Sequence, residues 1–173
     1  MPEPGESTKV GLGDTLINLF VTPEKPGKLI WGAGPAILLP TRTDPDLGSD
    51  RLGLDPSLVL YYEQKAWNAG VVLQNVWSLG GDGINELNTF GAQYFVTYNL
   101  PNGWFLYSNA TITADWTQDH SDRWTVPVGG GFGKVFKIGK QAMSLSAQGF
   151  ANVIKPRTSP HTTAIVQFSL LFP

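Results

Sequence analysis

Hydrophobic and polar positions alternate along most of this chain. The clearest case is residues 162–172, where every second side chain from Ala164 to Phe172 is apolar and the positions between them are mixed. Because successive side chains of a strand point to opposite faces, this stretch predicts a strand with one apolar face. The same alternation predicts further extended segments. Together they span residues 10–21, 28–40, 52–63, 66–78, 88–100, 103–116, 124–137, 141–154 and 162–172.

The lengths of the segments and of their connections favour a membrane barrel over a soluble sandwich. Most segments exceed the ~5–6 residues of a soluble strand and match the ~9–11 residues that cross a bilayer at a tilt. Short connections at 64–65, 101–102 and 138–140 alternate with longer ones such as 79–87 and 117–123. Outer-membrane barrels alternate short periplasmic turns with longer extracellular loops. The pattern therefore predicts an all-β fold: an antiparallel, up-and-down, outer-membrane-type β-barrel with about 8–9 strands in this chain.

The predicted strands form one domain, residues 10–173, after a disordered segment, residues 1–9. An odd number of strands conflicts with the even number that bacterial single-chain barrels have, with both ends periplasmic. Residues 1–9 also lack the basic start and the apolar run of ~7–15 residues that make a signal peptide. We therefore expect the chain to be truncated, with further strands and an export signal in the full-length protein.

Composition excludes several classes of function. Charged residues make up 15% of the chain against a typical ~25%, and a net charge of −2 offers no basic surface to nucleic acid. The chain has no cysteine, which excludes disulfides and thiolate sites. No stretch approaches the ~20 consecutive apolar residues of a membrane helix. The mean hydropathy of −0.07 is what strands with alternating faces give.

Aromatic residues are predicted at both ends of the outward faces. Trp and Tyr prefer the headgroup level on both sides of a bilayer, so two bands of rings separated by aliphatic residues indicate a membrane-spanning wall. Strand propensity alone would scatter the rings along the strands. The predicted membrane girdle consists of Trp31, Tyr62, Trp67, Trp77, Tyr98, Trp104, Trp116, Trp124, Phe136 and Phe172.

The opposite faces carry polar residues that would line a lumen. Their carboxylates have few lysines or arginines on the same face, so the lumen is either wet or closely hydrogen-bonded. One interpretation is a polar, mildly cation-preferring path along Asp14, Asp55 and Asp115; the other is a hydrogen-bonded polar plug, as in small barrels. The predicted lumen-lining residues are Asp14, Asn18, Asp55, Tyr61, Glu63, Gln93, Asn109, Thr113, Asp115 and Gln148.

Two clusters invite a chemical interpretation that their context does not support. The run GGGFGK (129–134) lacks the GxxxxGK[ST] spacing of a phosphate loop and lies within a predicted strand, where glycine permits curvature. Asp119, His120 and Asp122 share a predicted loop, but the chain has only 2 His and no GxSxG motif, so a metal site or a catalytic triad is poorly supplied. We predict no enzyme activity, no metal and no cofactor.

Several segments resemble one family of bacterial outer-membrane proteins, the meta-pathway phenol-degradation transporter family. The likeness runs through nearly the whole chain from Gly11, and 122–141 is its most specific part. Members resemble β-barrels encoded near catabolic genes, which implies uptake of hydrophobic or aromatic compounds. The segments are GLGDTLINLFVTPEKPGKLIWGAGPAILLPT (11–41), LGLDPSLVLYYEQ (52–64), NVWSLGGD (75–82), YNLPNGWFLYSNATITADW (98–116), DRWTVPVGGGFGKVFKIGKQ (122–141) and LLFP (170–173).

The expected function is therefore a passive channel for small hydrophobic or aromatic compounds in the bacterial outer membrane. Its expected partners are the lipid bilayer, a small-molecule solute and, through the C-terminal strand, the barrel-assembly machinery; nucleic acid is not among them. The alternatives are a soluble, lipocalin-like barrel that binds a small ligand inside, and a structural barrel that conducts nothing. Partitioning into detergent separates the first alternative from a membrane barrel, and single-channel conductance separates the second from a pore.

Overall fold

A computed structural model describes residues 10–25, 27–44, 47, 51–79, 86–157 and 159–172. The predicted disordered segment 1–9 lies outside these residues. The described residues contain nine strands and no α-helix. The strands are β1 (Thr15–Asn18), β2 (Leu29–Leu39), β3 (Gly53–Gln64), β4 (Trp67–Ser78), β5 (Asn88–Asn99), β6 (Trp104–Asp115), β7 (Trp124–Ile138), β8 (Gln141–Ile154) and β9 (Thr162–Leu171).

Each strand pairs with the next one in sequence, always antiparallel, in a single nine-stranded sheet. The predicted all-β, up-and-down fold is therefore confirmed. Two residues join β3 to β4 and two join β7 to β8, whereas the connections that follow β2, β4, β6 and β8 are longer. Strands β1 and β9 run in the same direction, and within the described ranges no pairing joins them.

Two predicted boundaries were wrong. The first predicted segment, residues 10–21, is paired as a strand only over Thr15–Asn18, with one further bridge between Val21 and Ala33. Its start is rich in glycine, which weakens strand pairing. The predicted two-residue turn after β5 is a longer connection that contains a short 3-10 turn, in which Asn102 and Gly103 have φ of 60° and 77°. Asn and Gly tolerate this left-handed region better than other residues.

The two faces of the sheet differ in burial, and this difference identifies the concave side. Side chains converge on a concave face and diverge on a convex one, so buried residues mark the inside of the curve. Among the described strand residues, all the buried ones except Ala114 lie on one face, called here the inner face. They are Gly32, Ala36, Gly53, Asp55, Ser57, Gly91, Gly133, Ser146 and Phe150.

The outer face is apolar and open. Val166 is 76% exposed, Phe168 57% and Phe132 56%. On the inner face, by contrast, Asp55 is completely buried. A soluble protein places its apolar side chains inside and its charged ones outside, and the two faces of this sheet show the opposite arrangement.

Glycine allows aromatic rings to pack flat against the inner face. Gly70 lies between Tyr61 on β3 and Phe95 on β5, its direct partners in the sheet, and their rings stack at 6.1 Å. A Cβ on Gly70 would overlap the Phe95 ring, and one on Gly133 would overlap the ring of its partner Phe105. Both glycines therefore make room for a ring that would otherwise project further into the interior.

Candidate functional site

The inner face brings together nine of the ten residues that the sequence predicts as a lumen lining. Antiparallel partners point to the same side of a sheet, so the register decides which side chains share a face. Asp14 precedes β1 and is half-buried. The residues that lie on the inner face are Asn18, Asp55, Tyr61, Glu63, Gln93, Asn109, Thr113, Asp115 and Gln148.

Asp55 repairs a break in the backbone ladder between β3 and β4. Pairing is interrupted at Asp55 and Pro56, and because proline has no N–H, the carbonyl of Asn75 opposite it has no ladder donor. The N–H of Asn75 donates to the side chain of Asp55, at 3.0 Å from Oδ1, and Ser57 Oγ donates to the same oxygen at 3.4 Å. Asp55 Oδ2 is buried and has no hydrogen-bond partner among the described residues. This carboxylate is therefore held in place by the wall and turned toward the interior.

Near the middle of the strands the inner face is open to solvent. Gln93 Nε2 donates to Asn109 Oδ1 at 3.2 Å, and both side chains are exposed although they point inward. Gln148 Oε1 and Tyr107 OH are buried without a partner among the described residues. Buried polar atoms of this kind are normally satisfied by ordered water.

Sequence reasoning missed a set of aromatic rings on the inner face. Phe105 and Tyr107 alternate with outward residues on β6, and their rings lie 5.5 Å apart. The predicted lining took the polar members of each mixed face and passed over the rings between them. Each of these rings has a glycine as its partner on a neighbouring strand. That signal identifies an inner ring only when the register of the two strands is known. The missed rings are Phe95, Phe105, Tyr107 and Phe150, whereas Tyr61, the fifth ring on this face, was among the predicted lining residues.

A cavity of about 540 Å³ lies at the loop end of the inner face, and we call it the vestibule. Its lining includes Asp115, Asp122, Arg123 and Arg157, together with inner-face threonines. Asp115 accepts hydrogen bonds from the N–H and hydroxyl of Thr117, at 3.0 and 2.6 Å, and from Gln118 Nε2 at 3.2 Å. The acid is thus engaged by its own loop.

Two long loops are tied together at the vestibule. The N–H of Arg157, in the β8–β9 connection, donates to Asp122 Oδ1 in the β6–β7 connection at 3.0 Å. This backbone hydrogen bond, helped by Ser121 and by the charge of Arg157, holds the pKa of Asp122 below its ordinary value. Asp122 was predicted to be part of a solvated loop, and its contact with Arg157 was not predicted.

A second polar cavity, of about 370 Å³, lies at the turn end of the inner face. Glu63, a predicted lining residue, faces it together with Asn68, Asn99, Lys28 and Lys65. The inner face therefore carries polar, charged space at both ends, with stacked rings and amides between them. The two cavities lie at opposite ends of the same face.

The predicted girdle residues lie at the two ends of the outer face. At the turn end the rings of Trp67 and Tyr98 lie 4.5 Å apart. At the loop end Trp116 and Trp124 meet edge-on at 5.6 Å, and Trp116 Nε1 donates to Asn75 Oδ1 at 3.0 Å. Phe172 follows β9 and is exposed. The girdle residues on the outer face of the strands are Trp31, Tyr62, Trp67, Trp77, Tyr98, Trp104, Trp124 and Phe136.

Each end of the outer face also has a cation stacked on a tryptophan. The Lys134 ammonium lies 5.0 Å from the ring of Trp104 at the turn end, and the Arg123 guanidinium lies 5.4 Å from the ring of Trp116 at the loop end. Cation–π contacts of this length are attractive. No helix formed by the described residues is long and apolar enough to cross a membrane. Nor do the described residues include a group of three or more acidic or histidine side chains placed to hold a metal ion.

The fold and its two faces define the class of this protein: an all-β protein whose described strands form one antiparallel, up-and-down sheet with an apolar and a more polar face. The family model described as "Putative MetA-pathway of phenol degradation" matches residues 2–168. The chain therefore belongs to this family, as its sequence resemblance suggested. No curated protein and no solved structure matches the chain.

Proposed function

We propose that this protein forms the wall of a β-barrel in the bacterial outer membrane and acts as a passive channel for small hydrophobic or aromatic compounds. Solutes pass by diffusion along the inner face, without covalent chemistry. The observation that carries the proposal is the polarity of the sheet: the outer face exposes apolar and aromatic side chains, while the inner face buries Asp55 and collects the polar lining. A soluble, lipocalin-like binder requires the opposite arrangement.

The inner face supports an aromatic solute in particular. The stacked pair of Tyr61 and Phe95 and the pair of Phe105 and Tyr107 offer flat apolar surfaces. The amides of Gln93 and Asn109 can hydrogen-bond a phenolic hydroxyl as it passes. The family description, which refers to phenol degradation, agrees with this class of solute. The C-terminal strand β9, with its exposed apolar face, is the segment that we propose the barrel-assembly machinery recognises.

The test is single-channel conductance of the refolded protein in planar bilayers, with liposome swelling in phenol-sized solutes. We expect discrete current steps and faster swelling. Phe95→Ala removes an inner ring and should increase both, whereas Leu73→Ala, on the outer face of the neighbouring strand β4, should leave both unchanged. Folded protein without current steps would favour the non-conducting structural barrel, and a monomer that stays soluble without detergent would favour the lipocalin-like binder.

A further inference from the structure

Strands β6 and β7 are paired over only part of their length. Pairing joins Trp104–Tyr107 to Gly131–Lys134 and resumes where Thr113 and Ala114 face β7 again. Between these stretches, residues 108–112 and 126–130 are described but carry no ladder with each other, and we call this interval the β6–β7 gap. Both strands keep their pairing with their other neighbours, β5 and β8, along the whole interval. The gap is therefore confined to one seam of the sheet.

A proline accounts for the gap. The N–H of Asp115 donates to the carbonyl of Arg123, so the odd-numbered residues of β6 direct their backbone groups at β7. Continuing this register would set Thr111 opposite Pro127. Proline has no N–H, so the carbonyl of Thr111 loses its ladder partner. Pro127 also lies at a register shift in the pairing of β7 with β8, between Val126 and Pro127.

Glycines let β7 lie unusually close to β8 at this level. A Cβ on Gly129 would overlap the backbone oxygen of Gly149 on β8, and a Cβ on Gly131 would overlap that of Ala147. Only glycine can lie this close to a neighbouring strand. Strand β7 thus packs tightly onto β8 where its ladder with β6 is missing.

The polar groups of the gap are satisfied only in part. Ser108 Oγ donates to the carbonyl of Gly129 at 2.8 Å, in place of a ladder hydrogen bond. Tyr107 OH, beside the gap, is buried and has no partner among the described residues. Unpaired backbone facing hydrocarbon is strongly disfavoured, and irregular backbone at membrane depth is tolerated where it lines a cavity that water reaches. The gap therefore suits the lining of an opening.

An apolar groove of about 340 Å³ lies on the outer face beside this opening. Trp67, Val96, Tyr98 and Leu106 form one side of it, and it extends to Gly131 at the edge of the gap. Its size and its paired rings fit one small aromatic molecule. We propose that the β6–β7 gap is a lateral passage through which small apolar aromatic molecules move between the inner face and the surrounding lipid; this inference rests on the proposed channel function.

Hydrogen exchange of backbone amides tests whether the gap is open and wet. In the refolded protein, the amides of Asn109 and Thr111 should exchange at least about fivefold faster than those of Tyr107 and Thr113, which remain paired. Fivefold corresponds to one net hydrogen bond of about 1 kcal/mol. Equal protection at all four positions would overturn the proposal. This measurement needs no variant, so a folding failure cannot hide the answer.

Closing the gap tests its role in transport. The chain has no cysteine, so Ala110→Cys with Val128→Cys can be cross-linked across the gap by oxidation or by a short bis-maleimide. The matched control joins Leu73→Cys to Ala92→Cys, which face each other in the intact β4–β5 ladder. Two quantities are measured in liposomes with a lipopolysaccharide outer leaflet: entry of the membrane-partitioning dye N-phenyl-1-naphthylamine, and ion conductance along the axis.

We expect the cross-linked gap to abolish the dye entry that depends on the protein while ion conductance stays unchanged, because the covalent bridge blocks the seam and leaves the inner face as it is. The control cross-link should change neither quantity. Pro127→Ala should act like the cross-link in weaker form, and Pro35→Ala, a strand proline away from this seam, should have no effect. Dye entry that is indifferent to the gap cross-link, with normal conductance, overturns the lateral passage alone; loss of both signals in the uncross-linked protein overturns the channel function itself.

Discussion

The polarity of the sheet can be tested with two neighbouring residues on β5. Ala92 lies on the outer face between Leu73 on β4 and Ile112 on β6, whereas Gln93 lies on the inner face and is exposed. The comparison is between Ala92→Arg and Gln93→Arg. The two substitutions introduce the same side chain one residue apart, near the middle of the same strand, but on opposite faces.

The structure sets the expected magnitudes. An arginine on the lipid face near the bilayer midplane destabilises a barrel by ~2–4 kcal/mol. Taking about 2 kcal/mol, the folding equilibrium shifts about 30-fold. At position 93 the substitution removes one hydrogen bond, from Gln93 to Asn109 at 3.2 Å, which contributes about 1 kcal/mol or less to stability. The new guanidinium stays hydrated there because Gln93 is already exposed.

The assay is urea unfolding in phospholipid vesicles, followed by tryptophan fluorescence and by the electrophoretic shift between folded and unfolded protein. We expect Ala92→Arg to lower the free energy of unfolding by at least about 1 kcal/mol more than Gln93→Arg does. The reverse order, with Gln93→Arg the costlier change and Ala92→Arg neutral, would show that the apolar face does not meet lipid. The proposed membrane location would then be wrong.

Two further predictions concern packing and pH. Gly70→Ala should destabilise the sheet by ~1–3 kcal/mol, because its Cβ would overlap the Phe95 ring; Gly27→Ala, which meets nothing within 4 Å, is the control in the same urea titration. The contact between Asp122 and Arg157 should be lost in acid. Folding lowers the pKa of Asp122, so its carboxylate stabilises the folded protein above its unfolded pKa of about 4, and this stabilisation disappears as pH falls through the lower folded pKa. The Arg157 amide resonance should titrate with a midpoint below about 4; a midpoint at or above that value, or one that survives Asp122→Asn, would contradict the contact.

Alternation in the sequence predicted most of the strands because each one is long and has one apolar face. It failed for residues 10–21, where the glycines at positions 11 and 13 leave too little pairing for a full strand. The inner rings were missed for a different reason. Phe95 packs on the inner face because Gly70 lies opposite it on the neighbouring strand. This pairing depends on the register of β4 with β5, which neither strand's sequence shows alone.

The loop-end site was equally out of reach for sequence reasoning. Asp122 and Arg157 lie in different loops, and only the order of the strands brings both residues to the vestibule. Pro127 and the glycine run of β7 were visible in the sequence and suggested curvature. The break between β6 and β7 was not, because a missing N–H matters only when the opposite residue is known.

Strand β6 carries a cation-stacked tryptophan at each of its ends, Trp104 with Lys134 and Trp116 with Arg123. In the proposed membrane barrel, 12 residues at ~3.3 Å per residue and a tilt of ~45° would span about 28 Å along the membrane normal, close to the ~30 Å hydrocarbon core of a typical bilayer. The outward Lys134 ammonium would then fix the height of the turn end, since it is most stable beside the lipid phosphates. Such a protein should prefer membranes of matching thickness. The acyl-chain length of the surrounding lipid would then determine how deep the barrel lies in the bilayer and how far its strands tilt.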